Sequence, residues 1–161
     1  MAKHKEEKTN VMRTLEQKKI PYTAHAYPVG DSVPDGVSVA RMMGQDPDAV
    51  FKTLVCRGAS GGYYVFDVPV AAALDLKKAA KAVGEKFVAM IAQKELLPLT
   101  GYIHGGCSPI GMKKPFPTFV EERAIVFDTI LFSAGKIGYQ VELAPEDLKK
   151  LLAFQYADLC E

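Results

Sequence analysis

Lys52 is the first residue whose position asks for a chemical reason. It stands in VFKTLVCR, residues 50–57. Period-two alternation puts it on one face with Val50, Leu54 and Cys56, and the opposite face, Phe51, Thr53 and Val55, is also largely apolar. A lysine placed so is either at the strand's accessible end, its stem snorkelling to water, or aimed into a pocket. With an ordinary pKa of about 10.4 its ammonium suits a phosphate, a carboxylate or a developing oxyanion better than it suits a general base. The second feature is GYIHGGCSPIGMKKPFP, residues 101–117, with four glycines and three prolines. Its run Gly105, Gly106, Cys107, Ser108, Pro109, Ile110, Gly111 lets backbone N–H groups approach a ligand closely, as an anion or oxyanion nest does, and Lys113 and Lys114 follow directly. The order is neither the GxxxxGK[ST] phosphate loop nor the GxSxG nucleophile elbow. Cys107 would need a base, and His25 and His104 stand at no spacing that implies contact, so a structural Gly-Cys-Ser turn is the simpler expectation. Tyr27 and Tyr102, beside loops, could support a nucleobase or ribose, or simply pack.

These residues need elements to position them. Asn10 is placed to cap a helix over NVMRTLEQKK with Val11, Met12 and Leu15 inward, stopping before Ile20-Pro21. Tyr22–Tyr27 reads as a strand and Pro28–Gly36 as a long loop. Val37–Met43 suits a short helix ended by Gly44. VFKTLVCR, the turn GASGG and YYVFDVPV predict a β-hairpin. In LDLKKAAKAVG, Leu76, Ala79, Ala80 and Val83 fall at i, i+3, i+4 and i+7, and Gly84 closes a helix. Lys86–Met90 reads as a strand and Gln93–Leu97 as a helical turn; TFVEE, AIVFDTILFSAG and KIGYQVELA read as short strands. A closing helix starts at Pro145, with Glu146 and Asp147 at its positive end and Leu148, Leu151 and Leu152 inward. Short strands with helices between them predict an α+β fold in one domain over residues 10–161, behind a solvated tail at 1–9.

Composition narrows the classes. The 161 residues, 48% apolar and 24% charged, suffice for a core without metal or disulfide staples. Twenty Lys+Arg against nineteen Asp+Glu leave +1, which excludes a strongly basic nucleic-acid coat but not a local basic site. No apolar stretch is long enough for a membrane span, and MAKHKEEKTN is charged where a signal peptide needs an apolar core. Cys56, Cys107 and Cys160, odd in number and far apart, point to a reducing cytoplasm and to neither zinc nor disulfides. No cofactor, metal, DNA or membrane partner is expected.

VFKTLV at 50–55, LDLKKAAKAVG at 74–84, TGYIHGGCSPIGMKKPFPTFVEE at 100–122 and SAGKIGYQVEL at 133–143 together resemble the YbaK/EbsC family. Its members are free-standing aminoacyl-tRNA deacylases related to the editing domain of bacterial prolyl-tRNA synthetases. The resemblance spans about Val11 to Leu159. It implies a mixed, mostly antiparallel, partly barrel-like sheet wrapped by helices, with a pocket for the charged 3′ end of tRNA. It also implies removal of cysteine from Cys-tRNA(Pro), and from Cys-tRNA(Cys), with a synthetase partner selecting the tRNA. Lys52 matches the family's essential lysine, and Gly105, expected to act with it in catalysis, matches the family's glycine-proline substrate loop. Gly106, Ser108, Pro109, Ile110 and Gly111 match its substrate loop, Tyr27 an aromatic residue near the substrate, and Asp35 and Gly36 the loop opposite. Lys77, Lys78, Lys113 and Lys114 are candidate contacts to tRNA phosphates, or solvated faces. Gln140 stands where relatives of the cysteine branch often carry Asp; it cannot neutralise an α-ammonium, which leaves alanine on tRNA(Pro) as an alternative substrate. A non-catalytic module holding a tRNA end or nucleotide is the alternative outside enzymes.

Overall fold

The computed structural model describes residues 8–161, so most of the expected tail lies outside the described residues. Thr9, not Asn10, caps the first helix, α1 (Asn10–Gln17): its Oγ1 accepts from the Met12 amide at 3.2 Å. Val11, Met12 and Leu15 are buried as their spacing requires, and Lys19 turns the chain at φ 57°. The strand β1 (Thr23–Ala26), the helix α2 (Gly36–Met42) and the hairpin β2 (Phe51–Gly58) and β3 (Tyr63–Pro69) follow. Then come α3 (Leu76–Val83), β4 (Val88–Met90) and α4 (Gln93–Thr100). In α3, Ala79 and Ala80 are buried and Gly84 closes the helix at φ 75°, but Leu76 is largely exposed. The α4 helix passes its expected end, running through Pro98 to Thr100, whose hydroxyl donates to the Leu96 carbonyl at 2.7 Å.

Residues 101–117 form no helix or strand, and β5 (Thr118–Glu121) follows them. The expected strand through Ala124–Phe127 is instead a 3-10 turn, Glu122–Val126. The cause is Glu121, buried at the end of β5, whose carboxylate accepts from the Arg123, Leu159 and Cys160 amides and bends the chain there. The strands β6 (Ile130–Ser133) and β7 (Tyr139–Leu143) come next. The closing helix, α5, is only Pro145–Leu148, and the chain ends in an unanticipated strand, β8 (Phe154–Ala157).

The strands make two sheets, β1-β7-β6, wholly antiparallel, and β4-β2-β3-β5-β8, in which β5 and β8 run parallel to β3. A single parallel bridge, Val50 to Leu131, joins them, and they do not close into a barrel. The main core lies between the three-stranded sheet, α1, Phe51 and Val120. A second cluster sits under α3 on the Cys56, Phe66 and Val68 face.

This topology leaves a gap that matters for the site. Along its free side β2 meets β4 only at Cys56–Gly58 and β6 only at Val50. The bonds Val70 N–H to Val50 O and Gly58 N–H to Gly62 O show that even-numbered residues of β2 face β3. Antiparallel alternation therefore turns the Thr53 backbone amide and carbonyl to the open side.

Candidate active site

At that gap lies a cavity of about 550 Å³, a volume in the range of small-molecule sites. Residues 50–54 cross it consecutively, because a strand with no neighbour on one side exposes both side-chain faces and its backbone edge. Lys52, Tyr27, Asp35, Gly36, Gly105 and Gln140 all line it, as do His104 and Cys107. Lys52 is the single lysine on the wall, and among the described residues its ammonium has no hydrogen bond or ion pair.

Two loops meet across the mouth. Gly105 has φ +88°, and a Cβ there would stand 2.8 Å from Val33 Cγ1. Gly105→Ala is therefore expected to lose on the order of 1–3 kcal/mol of stability, read by denaturant unfolding, with the loop displaced from the cavity. Gly36 opens α2 so close to Val70 that a Cβ would meet its Cγ1 at 2.4 Å. Asp35 lines the cavity while capping that helix: it accepts from the Ser38 amide at 2.7 Å, and that bond holds its carboxyl below the ordinary value.

The rest of the glycine-rich run turns away. The Gly106 amide donates to the Ile103 carbonyl at 3.0 Å and the Ile110 amide to Ser108 Oγ at 3.3 Å. Ser108, Pro109 and Ile110 are buried, Ile110 in the main core, and Gly111 is exposed; none of the four lines the cavity. The free donors are narrower than the sequence suggested: the Gly105 and Cys107 amides, which find no acceptor among the described residues. Tyr102 is spent on packing, its hydroxyl donating to the Ile110 carbonyl at 2.5 Å. Lys77, Lys113 and Lys114 are exposed and away from the cavity. Lys78 is occupied, donating to Asp158 at 3.1 Å and to the Cys160 carbonyl at 2.7 Å.

Burial, and next the charge of Asp67, push the Cys107 thiol up to about 12, so it is protonated at neutral pH and a poor nucleophile. His104 is exposed and makes no hydrogen bond to it. Gln140, buried, forms a reciprocal amide pair with Gln45: Gln45 Nε2 donates to its Oε1 at 2.8 Å and its Nε2 donates to Gln45 Oε1 at 3.2 Å. One pair of groups joins the chain just beyond α2 to β7, and Gln140 has that much less hydrogen bonding to offer a ligand.

Thr53, Ser133 and Gln45 were not singled out from the sequence, nor was Asp67 on β3, directly opposite Thr53. Thr53 Oγ1 donates to Asp67 Oδ1 at 2.5 Å. The available signal was an acid inside the apolar run YYVFDVPV, since a buried polar residue is more informative than an exposed apolar one.

A one-domain α+β protein with an open strand edge, an unpaired lysine and free backbone donors, and with no activated nucleophile on the wall, has the parts to orient an already reactive ester. Residues 32–151 match the aminoacyl-tRNA editing domain family, and the chain belongs to it. A protein of Enterococcus faecalis, provisionally named Cys-tRNA(Pro)/Cys-tRNA(Cys) deacylase EbsC, is 47% identical over 99% of this chain and 98% of its own length. A solved structure described provisionally as a trans-editing enzyme for prolyl tRNA synthetase superposes with a TM-score of 0.81 at 26% identity, over 95% of this chain and 98% of that one. A hypothetical protein of solved structure, 19% identical with a TM-score of 0.83 over 94% and 99% of the two chains, shares the fold.

Proposed function

We propose that this chain is a trans-editing deacylase that removes cysteine from tRNA(Pro), acting in the cytoplasm alongside a prolyl-tRNA synthetase that selects the tRNA. The observation that carries the reading is the cavity itself: its wall brings together Lys52, whose ammonium has no ion pair among the described residues, and the free amides of Gly105, Cys107 and Thr53, around a space of about 550 Å³. The remaining space takes the terminal adenosine, beside Tyr27. Lys52 holds the terminal phosphate or ribose and fixes the ester, and the backbone amides stabilise the carbonyl oxygen as it gains charge.

A group of the substrate drives the attack, either as the nucleophile or by directing a water. In the thiol route the cysteine sulfur bonds to its own carbonyl carbon and the C–O bond to ribose breaks. The thiol proton ends on the ribose oxygen and a cyclic thiolactone leaves, to be opened by water. In the other route the neighbouring ribose hydroxyl directs a water onto the same carbon. Neither needs a protein nucleophile.

The test is ester loss from cysteine, alanine and proline, each carried on the proline tRNA body. Cysteine is expected to leave at least about tenfold faster than the other two, since pocket size alone separates such groups weakly and a hydrogen-bonded group must add the rest. Faster loss of alanine would transfer the assignment to that amino acid. A folded protein that cleaves none of the three would overturn the deacylase reading in favour of a binding module.

A further inference from the structure

Asp67 has no part in the chemistry above, yet it is the buried acid beside the site. It is 3% exposed, and its Oδ2 has no hydrogen-bond partner among the described residues. Its other oxygen accepts from Thr53, which lines the cavity, and its charge is felt by the thiol of Cys107, which lines it too. The carboxyl therefore lies directly behind the wall that these two residues form. Structural need does not explain it, because an apolar residue of similar size in an apolar strand is commonly no less stable than a buried, half-satisfied charge.

The hydrogen bond also decides what Thr53 can offer. A hydroxyl has one hydrogen and two lone pairs. With the hydrogen committed to Asp67, the Thr53 hydroxyl has only lone pairs left to offer, so it accepts and does not donate. Of the other charged groups on the wall, Lys52 repels a cation, and Asp35, ionised and with one oxygen capping α2, is exposed to water, which weakens its pull on a cation. Gln140 is neutral and paired with Gln45.

We propose that Asp67 is a positioning residue for the substrate's α-ammonium. By accepting the Thr53 hydroxyl hydrogen it turns the Thr53 lone pairs to the cavity, where they accept from the cationic amine with the carboxylate one hydroxyl behind. The proposal rests on the deacylase reading for the identity of the ligand, but its test does not require cleavage.

Two probes separate the terms: adenosine bearing cysteine through a non-hydrolysable 3′-amide, and the same molecule with 3-mercaptopropionyl in place of cysteine, which lacks only the amine. Calorimetric binding at pH 7.5 is expected to favour the amine by roughly 10–100-fold in the wild type, as for a hydrogen bond to a charged group. That ratio should fall to near one in Asp67→Asn and in Thr53→Val, persist in Thr53→Ser, and leave the desamino probe bound with unchanged affinity throughout. A purely structural role would weaken both probes together, which overturns the proposal, as does a wild-type ratio near one or a ratio that survives Asp67→Asn. Thr53→Val keeps the test open should Asp67→Asn fold poorly. Ester loss from Cys-tRNA(Pro), followed in parallel, keeps the two claims apart. Cleavage with a ratio of one sinks the Asp67 role alone, and an Asp67-dependent ratio without cleavage sinks the deacylase reading alone.

Discussion

Lys52→Ala is expected to lose ester cleavage by on the order of 10²–10³-fold while unfolding within about 0.5 kcal/mol of the wild type. The two halves of this expectation come from the same fact. An ammonium without a hydrogen bond or ion pair among the described residues contributes little to holding the fold, and removing it strands no buried partner. It is also the single lysine on the wall of a cavity proposed to receive a phosphate-bearing end, so nothing else there replaces its charge. Single-turnover cleavage and denaturant unfolding of the same preparation make the comparison. A variant that binds more weakly but cleaves at an unchanged rate restricts Lys52 to placing the ribose and phosphate. An unchanged cleavage efficiency removes it from the site. Lys52→Arg is not a rescue, since a planar fork cannot take the place of a compact ammonium in a fixed gap.

The second large effect is on stability and depends on pH. Burial raises the Asp67 carboxyl from 3.8 to about 7, with only the Thr53 hydrogen bond opposing it. Between those values the folded protein keeps a proton that the unfolded chain has released, so stability falls as pH rises, by up to about 1.4 kcal/mol per unit. The penalty is absent below about pH 4 and complete above about pH 7. Asp67→Asn cannot ionise, so its unfolding free energy should gain on the wild type by about 2–3 kcal/mol between pH 5 and 7. The polar groups brought against the carboxyl are Thr53, which does not titrate, and Cys107, whose thiol stays neutral throughout this range. Other carboxyls titrate alike in both proteins and cancel. Stability curves that run parallel across that range would show that Asp67 is not the group responsible. A destabilising charge kept beside the site is the pattern of a residue retained for its effect on a ligand.

Local patterning accounts for what the sequence disclosed. The hairpin was legible because alternation on both strands and a glycine-serine turn agree, and α3 because its alanines and Gly84 fix both face and end. Lys52 stood out as a charge between apolar faces, and its neighbours on the cavity wall, Tyr27, Asp35, Gly36, Gly105 and Gln140, were named through family resemblance. What escaped was non-local. β8 is a four-residue strand defined by parallel pairing with β5, some 36 positions earlier in the register, and nothing within FQYA announces it. Glu121 ended β5 through contacts with residues 159 and 160. The division of the 105–111 run into two free amides and a buried remainder depended on which carbonyls lay nearby. Asp67 was visible as an oddity, but only the strand register set it behind Thr53.

The Gln45–Gln140 pair has a consequence for how the protein responds to its medium. It fastens the chain beyond α2 to β7 without any charge, so neither added salt nor a change of pH loosens it. The attraction proposed between Lys52 and the anionic end of a tRNA is in the opposite position, since it weakens as ionic strength rises. The proposed recognition and this tie thus answer to different variables. A fall in turnover with salt then reports weaker encounters with nucleic acid and not a loosened Gln45–Gln140 tie.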